Sequence, residues 1–269
     1  MSKNSHKQII LAQNFLRSSK LVLVLLDTSS IASSDVVYEI GSGRGIITAE
    51  LAQIAHKVIA IEKDPILVRQ LCKRFQAVEN VEIVTRDFLH YPIFDREYKI
   101  FASIPYNCTA DIVRKILYTP PAPREAYLIM QKEAAEKFSG TPSETQFSLL
   151  AKPYYDLQII RALCRTDFEP VPKVDSVLLH IKKRYSSLLR EDDVFLYRKF
   201  VRYGFGRWKK SLRLSFKPIF TYQQWKHVSR DLHFAFDATP STLTFEQWLG
   251  LFECFKQRVP VYKQAYIRR

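Results

Sequence analysis

Between residues 36 and 62 a strand, a glycine-rich turn, a helix and a second strand follow one another with hardly a spare residue. Val36-Val37-Tyr38-Glu39-Ile40 has the apolar, β-branched make-up of a buried strand and runs into Gly41-Ser42-Gly43-Arg44-Gly45. From Ile46 to Ala55 the residues Ile47, Leu51 and Ile54 recur at helical spacing. Val58-Ile59-Ala60-Ile61 is the second strand, and Glu62 ends it, 21 residues after Gly41. Glycines at a strand-to-helix turn let the backbone pass close to a ligand with no Cβ in the way. An acid at the end of the next strand accepts hydrogen bonds from both hydroxyls of a ribose. The dinucleotide fingerprint puts its third glycine where Ile46 stands. The shorter Gly-x-Gly-x-Gly form therefore suits an adenosine cofactor without a pyrophosphate, and S-adenosylmethionine is the leading candidate.

The alternation continues. Pro65 to Phe75 is a helix with proline at its start, where a missing N–H costs nothing. Val81 to Val84 is a third strand ending near Asp87-Phe88, and Tyr98 to Ala102 a fourth. A helix over 110–117 and a strand over 126–130 follow, and Phe147–Arg165 and Ser176–Ile181 complete the sheet as later strands. Strands alternating with helices predict an α/β, doubly wound parallel sheet. Beyond about 185 the stretches Val194–Tyr203 and Phe245–Phe255 have helical spacing, so a boundary is expected that separates 1–184 from a small helical domain at 185–269.

Two segments after strands carry chemistry. Asp87 is placed to accept the N6 amine of a cofactor's adenine, with Phe88 against its ring; an ordinary strand-end cap is the plainer reading. Ser103-Ile104-Pro105-Tyr106 follows the fourth strand, at the carboxyl edge where open α/β sheets bind ligands. Proline stiffens this loop and restricts Ile104 before it. Ser103 and the Ile104 or Pro105 carbonyl can accept hydrogens from an exocyclic amine, and Tyr106 can stack on a flat heterocycle.

Charge divides the chain. From Ile181 onward 19 basic residues stand against 7 acidic, within a whole-chain net charge of +14. A nearly neutral body with a basic tail points to a catalytic module joined to a polyanion-binding one. No apolar run approaches the ~20 residues that cross a bilayer, and no secretory signal is evident. Cys72, Cys108, Cys164 and Cys254 are scattered, which favours free thiols in a reducing, cytoplasmic compartment over disulfides or a metal site.

These residues together resemble the rRNA adenine-N6 dimethyltransferases, which comprise the macrolide-resistance (erythromycin-resistance, Erm) enzymes of the large subunit and the housekeeping enzymes of the small subunit. The resemblance spans most of the chain. It rests on Gln13-Asn14-Phe15-Leu16, Glu39-Ile40-Gly41-Ser42-Gly43, Glu62-Lys63-Asp64, Ile104-Pro105-Tyr106-Asn107, Gln131-Lys132-Glu133 and Phe168-Glu169-Pro170-Val171-Pro172-Lys173-Val174-Asp175-Ser176, in that order. It implies a Rossmann-like S-adenosylmethionine-dependent methyltransferase sheet. It implies that Gln13, Asn14, Leu16, Gly41, Gly43, Glu62, Asp87, Phe88 and Ser103 serve the cofactor. It further implies that Ser103, Ile104, Pro105, Tyr106 and Phe168 hold and present an adenine. Without the family, Phe168 would pass as a core aromatic.

Phe220-Thr221, Leu243-Thr244-Phe245-Glu246-Gln247-Trp248 and Leu251-Phe252 resemble the macrolide-resistance branch. That branch implies a monomer acting on one adenine of protein-free or precursor large-subunit (23S) rRNA, with resistance to macrolides, lincosamides and streptogramin B. The open alternatives are a small-subunit dimethyltransferase and a non-catalytic nucleic-acid-binding member of the fold. One departure stands out: the family usually has Asn where this chain has Ser103. Phosphate contacts are expected from Arg114, Lys115, Lys132 and Lys137 beside the target loop, from Lys182 and Lys183 at the domain joint, and from Arg207, Lys209 and Lys210 around Trp208.

Overall fold

The computed structural model describes residues 14–206 and 211–268. They fall into two units. One takes the described residues up to Ala135 together with Asp156–Lys183, the other Glu136–Tyr155 and Arg184 onward.

In the first unit, β1 (Phe15–Leu16) and β8 (Phe168–Glu169) form a short antiparallel ladder of their own. The main sheet contains β2 (Val36–Ile40), β3 (Lys57–Glu62), β4 (Val81–Thr85), β5 (Lys99–Ser103), β6 (Glu125–Gln131), β7 (Tyr155–Leu163) and β9 (Ser176–Lys183). Their order is β4-β3-β2-β5-β6-β9-β7. From β4 to β6 the neighbours are parallel. Residues Ala126–Met130 of β6 are all buried, as a strand covered on both faces requires.

The sheet is mixed rather than wholly parallel, because β9 runs antiparallel to β6, with Glu125 opposite Lys182 and Gln131 opposite Ser176. No crossover helix separates β7 from β9, so the chain turns back through the sheet. The stretch from Phe147 also differs from the expected strand: Gln146–Ala151 is a helix, and β7 begins only at Tyr155. Thr145 and Ser148 start that helix with a reciprocal cap, Ser148 N–H donating to Thr145 Oγ1 (3.0 Å) and Thr145 N–H to Ser148 Oγ (2.8 Å).

The flanking helices bury one stripe each. Ile46–Ile54 contributes Ile47 and Leu51, and Ser19–Leu26 contributes Val22 and Leu25, to a core shared with Val37, Val58 and Phe101. Pro65–Phe75 is capped by Asp64, whose Oδ1 accepts from Ile66 N–H (2.8 Å), and carries Lys73 and Arg74 in its last turn. Among the described residues no helix is long and apolar enough to cross a membrane.

The second unit is helical: Val194–Gly206, Leu212–Phe216, Tyr222–Asp231, Phe245–Arg258 and Val261–Arg268 surround an aromatic core. Phe200, Phe216, Trp225, Trp248, Phe252 and Phe255 meet there, and the indole N–H groups of Trp225 and Trp248 reach the carbonyls of Phe236 (2.9 Å) and Pro240 (3.0 Å). Leu149 belongs to this core, and Tyr197 Oη donates to its carbonyl (3.1 Å). This packing groups Glu136–Tyr155 with the second unit, where the sequence expectation of 1–184 and 185–269 drew a single cut.

Candidate active site

Strand order reverses between β2 and β5, and a crevice opens outside their carboxyl ends. On the β2 side stands the glycine turn. Gly41 (φ +71°) and Gly43 (φ +55°) adopt left-handed backbone that side-chain-bearing residues avoid. Gly43 N–H donates to Glu62 Oε2 (2.9 Å), while Glu62 Oε1 accepts from the N–H groups of Lys63 (2.8 Å) and Asp64 (2.9 Å). Three backbone donors thus satisfy a buried carboxylate that pins the turn to the end of β3.

Ser103 ends β5 on the other side. Ile104 N–H stays in register, donating to Ile129 O (3.0 Å). Pro105 O accepts from Thr109 Oγ1 (3.1 Å) and Cys108 N–H (3.3 Å), closing the turn that starts the helix Thr109–Tyr118. Ile104 O meets no donor among the described residues. Of the two carbonyls considered from sequence, Ile104's is the one without a donor, on a residue that lines the first hollow described below.

Two adjoining hollows result, sharing Gly41 and Pro105. Asn14, Leu16, Gly41, Ser103, Ile104, Pro105 and Tyr106 line the first, of about 610 Å³. Glu62, Asp87 and Phe88 line the second, of about 400 Å³. Gly43 lines neither hollow, and a Cβ there would run into the Phe15 ring. Asp87 keeps its plainer role too, since Oδ1 caps Leu89 N–H (2.9 Å) while Oδ2 stands 3.9 Å from Lys63 Nζ. Phe168 is 1% exposed, in the core with Leu16 and Leu25, and lines neither hollow; its strand pairs with Leu16, which lines the first. Gln13 lies outside the described residues.

Lys115 is engaged by the protein itself. Its ammonium donates to the carbonyls of Phe88 and Tyr91 (2.6 Å to the latter) and lies 4.6 Å from the centre of the Phe88 ring. Burial lowers its pKa. It braces the loop after β4 and is no free phosphate ligand. Arg114 is exposed beside Asp111 (3.5 Å), and Lys132, Lys137 and Lys183 are exposed. Lys182 is exposed as well, 3.9 Å from Glu125. Arg207, Lys209 and Lys210 lie outside the described residues.

Sequence reasoning missed Phe15 and Glu39, both of which line the first hollow. An acid inside the apolar run Val36–Ile40 was the available signal for Glu39. Burial pushes its carboxyl up to about 8; the nearby Glu62 carboxylate adds to the shift and the Thr48 hydroxyl, 2.5 Å away, opposes it. The folded protein therefore holds a proton that the unfolded chain has already lost above its ordinary value of 4.5. Stability falls as pH rises from there to about 8, then levels off. Glu39→Gln keeps an acceptor for Thr48 without a charge. Its melting temperature is expected to vary less than wild type's between acid and alkaline buffer; parallel curves would show that Glu39 ionises freely.

Residues 4–257 match the sequence model of the ribosomal RNA adenine dimethylase family. The chain belongs to this family. It is similar to the rRNA adenine N-6-methyltransferase of Limosilactobacillus reuteri, with 32% identity over 93% of this chain and 97% of that one. It is similar as well to ribosomal RNA small subunit methyltransferase A of Synechococcus elongatus, with 29% identity over 89% of this chain and 91% of the other. The crystal structure of the 23S rRNA methyltransferase ErmE superposes with a TM-score of 0.85 at 28% identity, covering 91% of this chain and 100% of that one. As a member of the ribosomal RNA adenine dimethylase family, the chain is a methyltransferase with a Rossmann-like α/β sheet.

Proposed function

We propose that the chain transfers methyl groups from S-adenosylmethionine to the N6 amine of one adenine in large-subunit rRNA, producing resistance to macrolides, lincosamides and streptogramin B. The observation that carries the reading is the meeting, at one rim, of the glycine turn with Ser103, the Ile104 carbonyl and Tyr106.

The residues present fit the cofactor. A Cβ added at Gly41 would find only Pro105 Cδ, 3.9 Å away, so the turn faces open space where the two hollows adjoin. Glu62 would hold the ribose, Asp87 and Phe88 the adenine, and Asn14, Leu16, Gly41 and Ser103 would wall the remainder. When bound, S-adenosylmethionine supplies an electrophilic methyl group whose sulfur leaves as a neutral thioether.

The chain's own task is to present the acceptor. An aromatic amine's lone pair is delocalised into its ring. Ser103 Oγ and Ile104 O accept the amine's two hydrogens and draw the nitrogen toward tetrahedral geometry, at the ~3–3.5 Å approach that transfer requires. Tyr106 stacks on the base, which must leave its helix because N6 is unreachable in a stack. Ser103 reaches less far than asparagine and offers no amide, so slower transfer or a single methylation is expected. The second unit, with its basic excess, supplies phosphate contacts.

Similarity to the 23S rRNA methyltransferase ErmE supports the large subunit; the Synechococcus elongatus relative supports a small-subunit target. Radiolabelled methyl transfer to protein-free 23S and 16S rRNA separates them. Label in 23S rRNA, with primer extension stopping at one adenine, is expected. Label in 16S rRNA alone moves the assignment to the small subunit, and label in neither leaves a binding protein without catalysis.

A further inference from the structure

We infer that Ser176 is a positioning residue that fixes the ring of Tyr106 at the rim of the cleft. The inference rests on the reading of Tyr106 as the residue that holds the acceptor base.

Tyr106 opens a short 3-10 turn, Tyr106–Cys108, directly after Pro105. The far end of the side chain is held. Its hydroxyl lies 2.7 Å from Ser176 Oγ, across 70 residues of sequence. The ring is thus anchored at Cβ by the Pro105 turn and at Oη by β9. Ser176 is 1% exposed and lines neither hollow, so it touches no ligand there. Its backbone is fixed opposite Gln131 at the end of β6, and Lys132 N–H donates to the preceding Asp175 carbonyl (2.9 Å). A buried hydroxyl is costly unless paired, and the partner of this one is Tyr106. Stacking geometry that must hold within a fraction of an ångström needs such second support.

The test uses the full chain with Ser176→Ala, Tyr106→Phe, the double variant and Ser176→Thr. Each single removal is expected to lower kcat about tenfold while the donor Kd and the RNA KM stay near wild type. The double variant should be no worse than either single, and Ser176→Thr, which keeps a hydroxyl, should recover most of the rate. Wild-type kcat in Ser176→Ala overturns the proposal. So do losses that multiply in the double variant, or a loss that persists in Ser176→Thr alongside a lowered Tm. NMR of ζ-13C-tyrosine protein reads the contact without catalysis. The resonance that Tyr106→Phe deletes should shift in Ser176→Ala, and a resonance that stays put overturns the contact. A wild-type protein that transfers no methyl group, yet shows this shift, refutes the proposed reaction while leaving the anchor intact.

Discussion

Tyr106→Ala is expected to cut methyl transfer by at least about a hundredfold while leaving donor binding, measured by calorimetry, close to wild type. The residue lines the first hollow, with its hydroxyl tied to Ser176. The groups suited to the cofactor's nucleoside, Glu62, Asp87 and Phe88, line the second hollow, which Tyr106 does not border. Alanine removes the stacking face and its anchor together. Burial raises the phenol's pKa, with the Ser176 bond opposing it, so the hydroxyl stays protonated near neutral pH and takes no part as a base. Retained turnover would remove Tyr106 from the site. Lost donor binding would make it part of the cofactor pocket instead.

The largest stability effect is expected at Trp248→Ala, which should cost about 3–5 kcal/mol in the second unit. The indole is fully buried, packs edge-on to Phe200 and stacked on Phe205, and spends its N–H on the Pro240 carbonyl. Gly204 passes so close that a Cβ there would sit 2.5 Å from the indole, so the groove is shaped around this ring. Calorimetry should show the unfolding temperature fall by well over about 5 °C. A shift smaller than that would mean the surrounding aromatics collapse into the vacancy. Because the glycine turn and Glu62 lie in the other unit, donor binding should survive partial unfolding of this one.

Much of the first unit was legible because its information is local. Apolar runs of four or five residues, punctuated by Gly41-Ser42-Gly43, Asp64-Pro65 and Ile104-Pro105, announce strands and helix starts, and β2, β3 and the helix Pro65–Phe75 lie where that spacing predicts. What was missed is set by partners distant in sequence. The direction of β9 depends on β6, some fifty residues earlier, and no residue of Ser176–Lys183 encodes it. Gln146–Ala151 looked like the start of the strand that follows it, since the signal for a helix was only the Thr145–Ser148 cap. Lys115 resembles any solvated lysine on an amphipathic helix until the loop carbonyls that it serves are seen. Phe168 differs again, a residue placed at the cleft by resemblance that packs in the core beside Leu16, which borders the cleft.

The two-residue ladder of β1 with β8 bears on the order in which the protein can be built. Asn14, Phe15 and Leu16 border the first hollow, but their strand partner is Phe168–Glu169, about 150 residues downstream. At ribosomal speeds of about 5–20 residues per second, the amino-terminal segment waits roughly 8–30 seconds for its mate to be made. Late in that interval, once β6 has been made, the nascent chain holds β2 to β6 and yet has no finished cleft. The last piece of the cleft is therefore set by one of the latest strands of the unit to be translated, so truncated products ending before residue 168 should carry a sheet but no complete cleft.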